Sequence, residues 1–270
     1  MDFLSREGSP ISAELWSKID DQVISMAKKV LVGRRFLHIY GPLGAGVQSI
    51  NIDDTTELGE TEGEIVQIKG RKFAQIPLLN QDFNLLWRDL ELSEKTGMPV
   101  DLSSALQASA EISKKEDDLI FNGNKELGYE GLLTAKGITK LELSNWEEGE
   151  NPVKDVAAGL SNLFDKGLVG RKALIISSDL LVKLQRIQPG TGITEYERLS
   201  KLVDGNIYYT KVIGSKKAVL VCSEPQYMDL VVGQDMATSY LETKDLNHIF
   251  RILETVLLRI KNKNAVVVFE

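Results

Sequence analysis

Cys222 is the one cysteine of the chain, and His38 and His248 are its two histidines. A single thiol forms no intrachain disulfide, and two histidines far apart in sequence make no His-rich metal centre and, with one cysteine, no structural zinc site. Cys222 ends the apolar run Ala218–Cys222, which reads as a buried strand in which a thiol packs and stays inert. Glu116, Asp117 and Asp118 are consecutive carboxylates on a predicted helix. Consecutive helical residues point in different directions, so the three do not converge on a cation and are expected as an exposed or interfacial cluster. The glycine-rich stretch Gly41-Pro-Leu-Gly44-Ala-Gly46 lacks the Gly-Lys-Ser/Thr ending with which a P-loop holds phosphate and magnesium. Gly214-Ser-Lys-Lys217 lies between two predicted strands and reads as a hairpin turn. No Gly-x-Ser-x-Gly elbow is present. Trp87, in Phe83-Asn-Leu-Leu-Trp-Arg88, is expected in a core or an interface, with a face able to stack on a planar ligand. No catalytic residues are assigned, and the chain is not expected to be an enzyme.

The elements that position these residues are clearest near the start of the chain. Leu15, Trp16, Ile19, Val23, Met26, Ala27, Val30 and Leu31 recur at helical spacing, and Lys18, Asp21, Gln22 and Ser25 occupy the other face. Ser12 is the expected N-cap, Glu14 and Lys28–Lys29 suit the two ends of the helix dipole, and Gly33 is placed to end the helix. Residues 41–75 carry six acidic residues between 53 and 64, then Ile65, Ile68 and Phe73 among basic ones. They read as two weak strands joined by an acidic turn: a long arm that needs a surface to lie on, such as a neighbouring copy. A helix from Ser103 to Asn122, capped by Ser103 or Ser104 and ended by Gly123, buries Leu102, Ala105, Leu106, Ile112, Leu119 and Ile120. From Leu132 the pattern alternates: helices at 153–164, 179–185 and 195–202, strands at 172–177, 207–212, 218–222 and 229–232, and a final strand at 265–269. The class is mixed, α+β with α/β character, in two subdomains; the second is expected to be inserted so that the C-terminus rejoins the first.

Among 270 residues, Lys and Arg number 32 against 39 Asp and Glu, a formal charge of −7, which disfavours non-specific nucleic-acid binding. The 43% of hydrophobic residues can build a sizeable core. No run is long enough to span a membrane, and the opening residues lack the basic start and apolar core of a secretory signal, so a cytoplasmic location is expected.

Taken in order, several short motifs resemble the encapsulin, or linocin, family of shell proteins. They are Met1-Asp-Phe-Leu4, Trp16-x-x-Ile-Asp20, Gly33-Arg-Arg-Phe36 with Gly41-Pro42, Asp101-Leu-Ser-Ser104, Glu116-Asp-x-x-Ile-Phe-x-Gly123, Gly131-Leu-Leu133 and Gly233-Gln-Asp235. The similarity is collinear over essentially the whole chain. It implies the fold of tailed-phage major capsid proteins of the Hong Kong 97 type, with a peripheral domain, an axial domain and an extended loop. The expected segments are 1–47 (N-terminal helix and start of the peripheral domain), 48–75 (extended loop), 76–131 (peripheral domain with the long helix), 132–225 (axial domain) and 226–270 (strands returning to the peripheral domain).

The resemblance also implies a function: self-assembly into an icosahedral nanocompartment that encloses a cargo enzyme, such as a ferritin-like iron oxidase or a peroxidase, through the cargo's C-terminal peptide. Leu31, Arg34, His38, Met236, Thr238 and Tyr240 match the family's cargo-peptide positions. Position 38 is often acidic in relatives and is histidine here, and Arg34 fits a structural salt bridge equally well. Gln188, Pro189, Gly190, Thr191 and Gly192 match the loop that faces a symmetry axis and lines a pore. Some relatives carry a flavin near an aromatic in the Trp87 region, which makes Trp87 the expected stacking residue, although no cofactor is required. The competing readings are a viral or prophage capsid protein and a soluble monomeric or dimeric enzyme.

Overall fold

Helix α1 spans Ala13–Val30 and begins where the side chain of Ser12 accepts a hydrogen bond from the Leu15 amide. Its buried stripe is Trp16, Ile19, Val23 and Ala27, one face at a spacing of three and four. Leu31 closes it. Gly33 does not end α1; it opens a second short helix, α2 (Gly33–Phe36). A Cβ at Gly33 would press on Ile120 Cδ1, so a larger residue there requires that side chain to shift. The computed structural model describes residues 3–53, 72–188, 190 and 192–270.

Strand β1 (Ile39–Tyr40) leads to Gly41, whose φ of 138° only glycine adopts without strain. The glycine stretch after it is pinned, because the Leu43 and Gly44 amides donate to Val232 O and Gly233 O. β2 (Ser49–Asn51) and β3 (Phe73–Gln75) then pair antiparallel, forming the base of the expected arm. The acidic segment between them, 54–71, lies outside the described residues. β4 (Leu78–Leu85) is followed by α3 (Trp87–Thr96), which has no fully buried residue.

The long helix α4 (Ser103–Phe121) agrees with the sequence reading except at its start. The oxygen there comes from Asp101, which accepts from the Ser103 amide and hydroxyl. Gly123, at φ 68°, turns the chain out of the helix. A small ribbon, β5 (Gly123–Asn124) with β6 (Tyr129–Glu130), follows.

Two five-stranded sheets carry the rest. The remaining elements are β7 (Thr139–Leu141), α5 (Asn151–Asp165), β8 (Lys172–Ser177), α6 (Ser178–Lys183), α7 (Glu195–Leu202), β9 (Ile207–Thr210), β10 (Ala218–Cys222), β11 (Met228–Val232), β12 (Ala237–Lys244), β13 (Asn247–Ile260) and β14 (Val266–Phe269). In the first sheet β13 is the spine: β11 and β12 pair with successive parts of it, β4 pairs with its first part, and β1 extends β11. α1 and α4 cover this sheet, burying Trp16, Ile19, Phe83, Ile112, Phe250 and Ile252 together. The second sheet runs β7-β14-β10-β8-β9 and anchors the larger core with α5, the end of α4 and Trp146.

Two sequence expectations change here. β9 and β10 both pair with β8, which lies between them, so Gly214-Ser-Lys-Lys217 is part of a crossing over the end of β8 and not a hairpin turn. The last strand, β14, pairs with β10 and β7 in the second sheet, while β11–β13 return to the first. Val266–Phe269 is wholly buried, and a continuous apolar run suits an interior strand covered on both faces.

Candidate functional site

The carboxylates at 116–118 are not an exposed cluster. Glu116 and Asp117 are buried, and only Asp118 faces water. Asp117 accepts from the amides of Val32 (3.0 and 3.1 Å) and Gly33 (2.9 Å), capping the start of α2. Burial pushes its carboxyl up to about 7, against the lowering effect of the Gly33 and Val32 amides. Glu116 faces Arg34, which binds three carboxyl groups at once: Glu116 at 2.7 Å, Glu254 at 2.7 Å and Asp235 at 2.6 Å. Burial opposes the charge on Arg34, but the hydrogen bonds and charges of these carboxylates hold it above the usual arginine range. Glu254 is raised well above an ordinary carboxyl by burial and then by the nearby charge of Glu116. Its Oε1 is buried without a hydrogen-bond partner among the described residues.

This network ties α2, α4, β13 and the β11–β12 turn into one joint. The turn is itself held by Thr255, whose carbonyl accepts from Gly233 N and whose hydroxyl accepts from Gln234 N. The sequence reading missed both glutamates, although the spacing of their apolar neighbours could have marked them as inward. Glu116 lies four residues from Ile112 and from Ile120 on the buried stripe of α4, and Glu254 alternates with Phe250, Ile252 and Val256 along β13.

The structure brings together part of the expected peptide site. Leu31 is buried just before α2, and Arg34 reaches Asp235, whose carboxylate also accepts from Met236 N. Met236 packs against the core between α1 and the first sheet. Thr238 is buried on β12. Tyr240 packs edge-on to Phe250, and its hydroxyl bonds to Thr243 and to His248 Nδ1. His38 is elsewhere: it lines a separate surface depression with Arg171, Ser223 and Glu224. Its carbonyl accepts from Leu230 N beside β1.

Arg6, a residue without a sequence signal, completes this face with Asp20 of the Trp16-x-x-Ile-Asp20 motif. Arg6 forms a double ion pair with Asp20 at 2.7 and 2.8 Å, and its guanidinium lies 4.5 Å from the Trp16 ring centroid. Their meeting depends on the chain before α1 crossing β12, and no spacing rule reports such a crossing.

At the expected pore loop, Ile187 and Thr194 form a bridge that closes the loop's base, and Gln188 N donates to Ile193 O. Gly190 and Gly192 have φ of 81° and 70°; Pro189 and Thr191 lie outside the described residues. Thr194 and Glu197 form a capping box at the start of α7, and the buried Glu195 pairs with Arg186 and Arg198. Trp87 opens α3, its amide donating to Asn247 Oδ1, with the Arg88 guanidinium 5.6 Å from its ring centroid. Arg88 lies over a face of the ring, and no chemistry is assigned to a flavin. Cys222 is buried, and burial raises its thiol. Among the described residues no group of three or more His, Cys, Asp or Glu could hold a metal ion, and no helix is long and apolar enough to cross a membrane.

A family model described as "Encapsulating protein for peroxidase" matches residues 1–257. The chain is 38% identical over 277 residues to the type 1 encapsulin shell protein EncA of Myxococcus xanthus, covering 100% of this chain and 96% of that protein. It is 39% identical to a diheme-cytochrome-encapsulin shell fusion protein of Kuenenia stuttgartiensis, over 96% of this chain and 74% of the other. The structure resembles the virus-like particle of Pyrococcus furiosus with a TM-score of 0.76 and 25% identity, over 96% of this chain and 100% of the other. The capsid of Myoviridae phage XM1 shares the fold alone, at a TM-score of 0.59 and 12% identity over 87% of this chain and 90% of that one. The fold is therefore the mixed α/β fold of Hong Kong 97-like phage capsid proteins, and the chain, a structural protein and not an enzyme, belongs to the encapsulin family of nanocompartment shell proteins.

Proposed function

We propose that copies of this chain close into an icosahedral shell whose inner wall holds a cargo enzyme by an extended C-terminal peptide. The second sheet and its helices form the axial unit, residues 188–192 face a symmetry axis, and the 48–75 arm overlaps a neighbouring copy. The smallest icosahedral shell takes about 60 subunits, since closed point-group symmetry satisfies every interface. The observation that carries the assembly reading is the apolar surface around the 188–192 loop. Val182 is 73% exposed and Ile187, just before the loop, 62%. Large apolar side chains left this open to water fit a surface that a partner covers.

The peptide groove lies between α1 and β12, with Leu31 and Met236 as apolar contacts and Tyr240 and Thr238 on the strand. The cargo is a ferritin-like iron oxidase or a peroxidase, and the family's description as encapsulating a peroxidase supports the second. Arg34 reaches the groove only through Asp235, so an Arg34→Glu variant does not separate a peptide contact from loss of the buried network. Met236→Glu is the cleaner test. Co-expressed with a ferritin-like or peroxidase protein from the same genome, wild-type shells are expected to retain it through purification. Met236→Glu shells of unchanged diameter are expected to lose most of it. Equal retention by both would overturn the groove.

A further inference from the structure

Strand β12 is an edge of the first sheet, and an edge strand offers unpaired backbone groups to any extended chain. In its pairing with β13, Thr238 lies opposite Ile252 and Tyr240 opposite Phe250. One outward backbone group of each is taken by the segment before α1. The Tyr240 amide donates to Leu4 O at 3.0 Å. Two residues on, the side chain of Arg6 replaces a backbone donor: its Nε and Nη2 donate to Thr238 O at 2.9 and 2.7 Å. Leu4 opposite Tyr240 and Arg6 opposite Thr238 set the segment antiparallel to β12, as an added strand would be. Ser5, between them, has a φ of 53°, which breaks regular strand geometry and hands the pairing from backbone to side chain.

Arg6 sits in a built receptor. The carboxylate of Asp20 binds it through both oxygens, the Trp16 ring lies against it, and Thr238 O accepts from it. Trp16 is fixed in turn, its Nε1 donating to Ser9 Oγ, which donates to Arg6 O. Carboxylate, aromatic face and carbonyl together select a planar guanidinium over a simple ammonium. Arg6 and Asp20 nevertheless stay about one-third open to water, at 29% and 32%, so the receptor is reachable from solvent.

We propose that the β12 edge with the Trp16–Asp20 receptor is a docking site for an extended peptide carrying an arginine, and that the chain's own residues 3–9 occupy it as a strap that such a peptide must displace. The inference rests on the peptide-groove reading above and adds to it the recognised side chain and the competitor. Because the strap is tethered, its effective concentration at the edge is on the order of millimolar or higher, so a free peptide gains access only when the strap's own hold is weakened.

The test uses assembled full-length shells and a fluorescein-labelled peptide of residues 3–10, Phe-Leu-Ser-Arg-Glu-Gly-Ser-Pro. Arg6→Ala shells are expected to bind it at least about ten-fold more tightly than wild type, the scale of losing a charge-assisted pair. Binding is expected to slow hydrogen exchange across residues 237–243. The same peptide with alanine in place of its arginine should bind Arg6→Ala shells about ten-fold more weakly. Asp20→Asn, on the receptor side, should free the strap, seen as faster exchange at 237–243, yet gain little peptide affinity. Equal binding by wild-type and Arg6→Ala shells, or exchange at 237–243 that the peptide leaves unchanged, overturns the inference. If Arg6→Ala shells do not assemble, exchange at 237–243 in Asp20→Asn shells decides: no acceleration there overturns it. Loss of cargo retention by wild-type shells would instead sink the groove reading, since the probe here is the chain's own sequence.

Discussion

Val219 and Glu254 are equally hidden from water, yet the regions around them are held in opposite ways. Around Val219 the second sheet is apolar: Ala173–Ile176, Ala218–Cys222 and Val266–Phe269 are buried, and β8, β10 and β14 lie side by side. Each such side chain contributes roughly 1.5–3 kcal/mol by leaving water, with no dependence on pH. Around Glu254 the α2–α4–β13 joint buries an arginine among carboxyl groups. With every group ionised, Arg34, Glu116, Glu254 and Asp235 would carry two net negative charges, and burial together with this excess raises Glu254 well above an ordinary carboxyl. Buried ion pairs of this kind contribute little net stability but make the loss of one partner expensive. One region supplies bulk stability; the other fixes how the start of the chain meets the first sheet and adds a sensitivity to protons.

The sharpest way to break this contrast is Arg34→Glu. It places a fourth carboxyl group in the joint and is expected to cost at least about 4 kcal/mol, read as a collapse of the denaturation midpoint or of folded yield. A near-wild-type midpoint would show that the joint is not a charge lock. The combined variant Arg34→Met, Glu116→Leu, Glu254→Met should recover most of that loss, because an apolar joint no longer strands a charge.

Ile175→Ala in the second sheet is expected to cost about 3 kcal/mol through transfer and cavity, and the cost should be the same at pH 5 and pH 8. Smaller per unit of pH is the proton linkage of Asp117. Its folded value of about 7 lies above the ordinary 3.8, so the folded chain binds more protons than the unfolded one between those limits. Stability should fall as pH rises from about 4 to about 7, by up to about 1.4 kcal/mol per unit, and level off above. Asp117→Asn should flatten that slope in denaturation midpoints measured between pH 5 and 8, and an unchanged slope would assign the effect elsewhere. Smallest is Ser12→Ala, about 1 kcal/mol for the lost cap of α1, seen as a lowered midpoint with no pH dependence.

Local rules made much of the fold legible. The spacing of Trp16, Ile19, Val23 and Ala27, the cap at Ser12 and the turn at Gly123 placed α1 and α4 to within a residue or two. The unbroken runs at 172–177 and 218–222 placed β8 and β10. Sheet order was not legible, because it depends on which strand lies between two others: β8 between β9 and β10, and β14 beside β10. In the candidate site, Glu116 was expected to be exposed or interfacial and Glu254 drew no expectation; both share the period of buried apolar neighbours, but a charge at such a position reads as solvated until its partner is known. Arg34 is that partner, 82 and 220 residues away from them. Arg6 on Thr238 is more remote still, spanning 232 residues. The resemblance located residues of the expected groove without saying which of them bind one another, and it grouped with them His38, which lines a depression with Arg171, Ser223 and Glu224.

The central claim is that this chain works as one tile of a closed hollow shell. Negative-stain electron microscopy of the purified full-length protein, at near-neutral pH and moderate salt, tests it most directly. The account predicts uniform round particles with a thin wall and a stain-filled or cargo-filled interior. A field of single 270-residue particles, with no closed shells at any protein concentration, would contradict it.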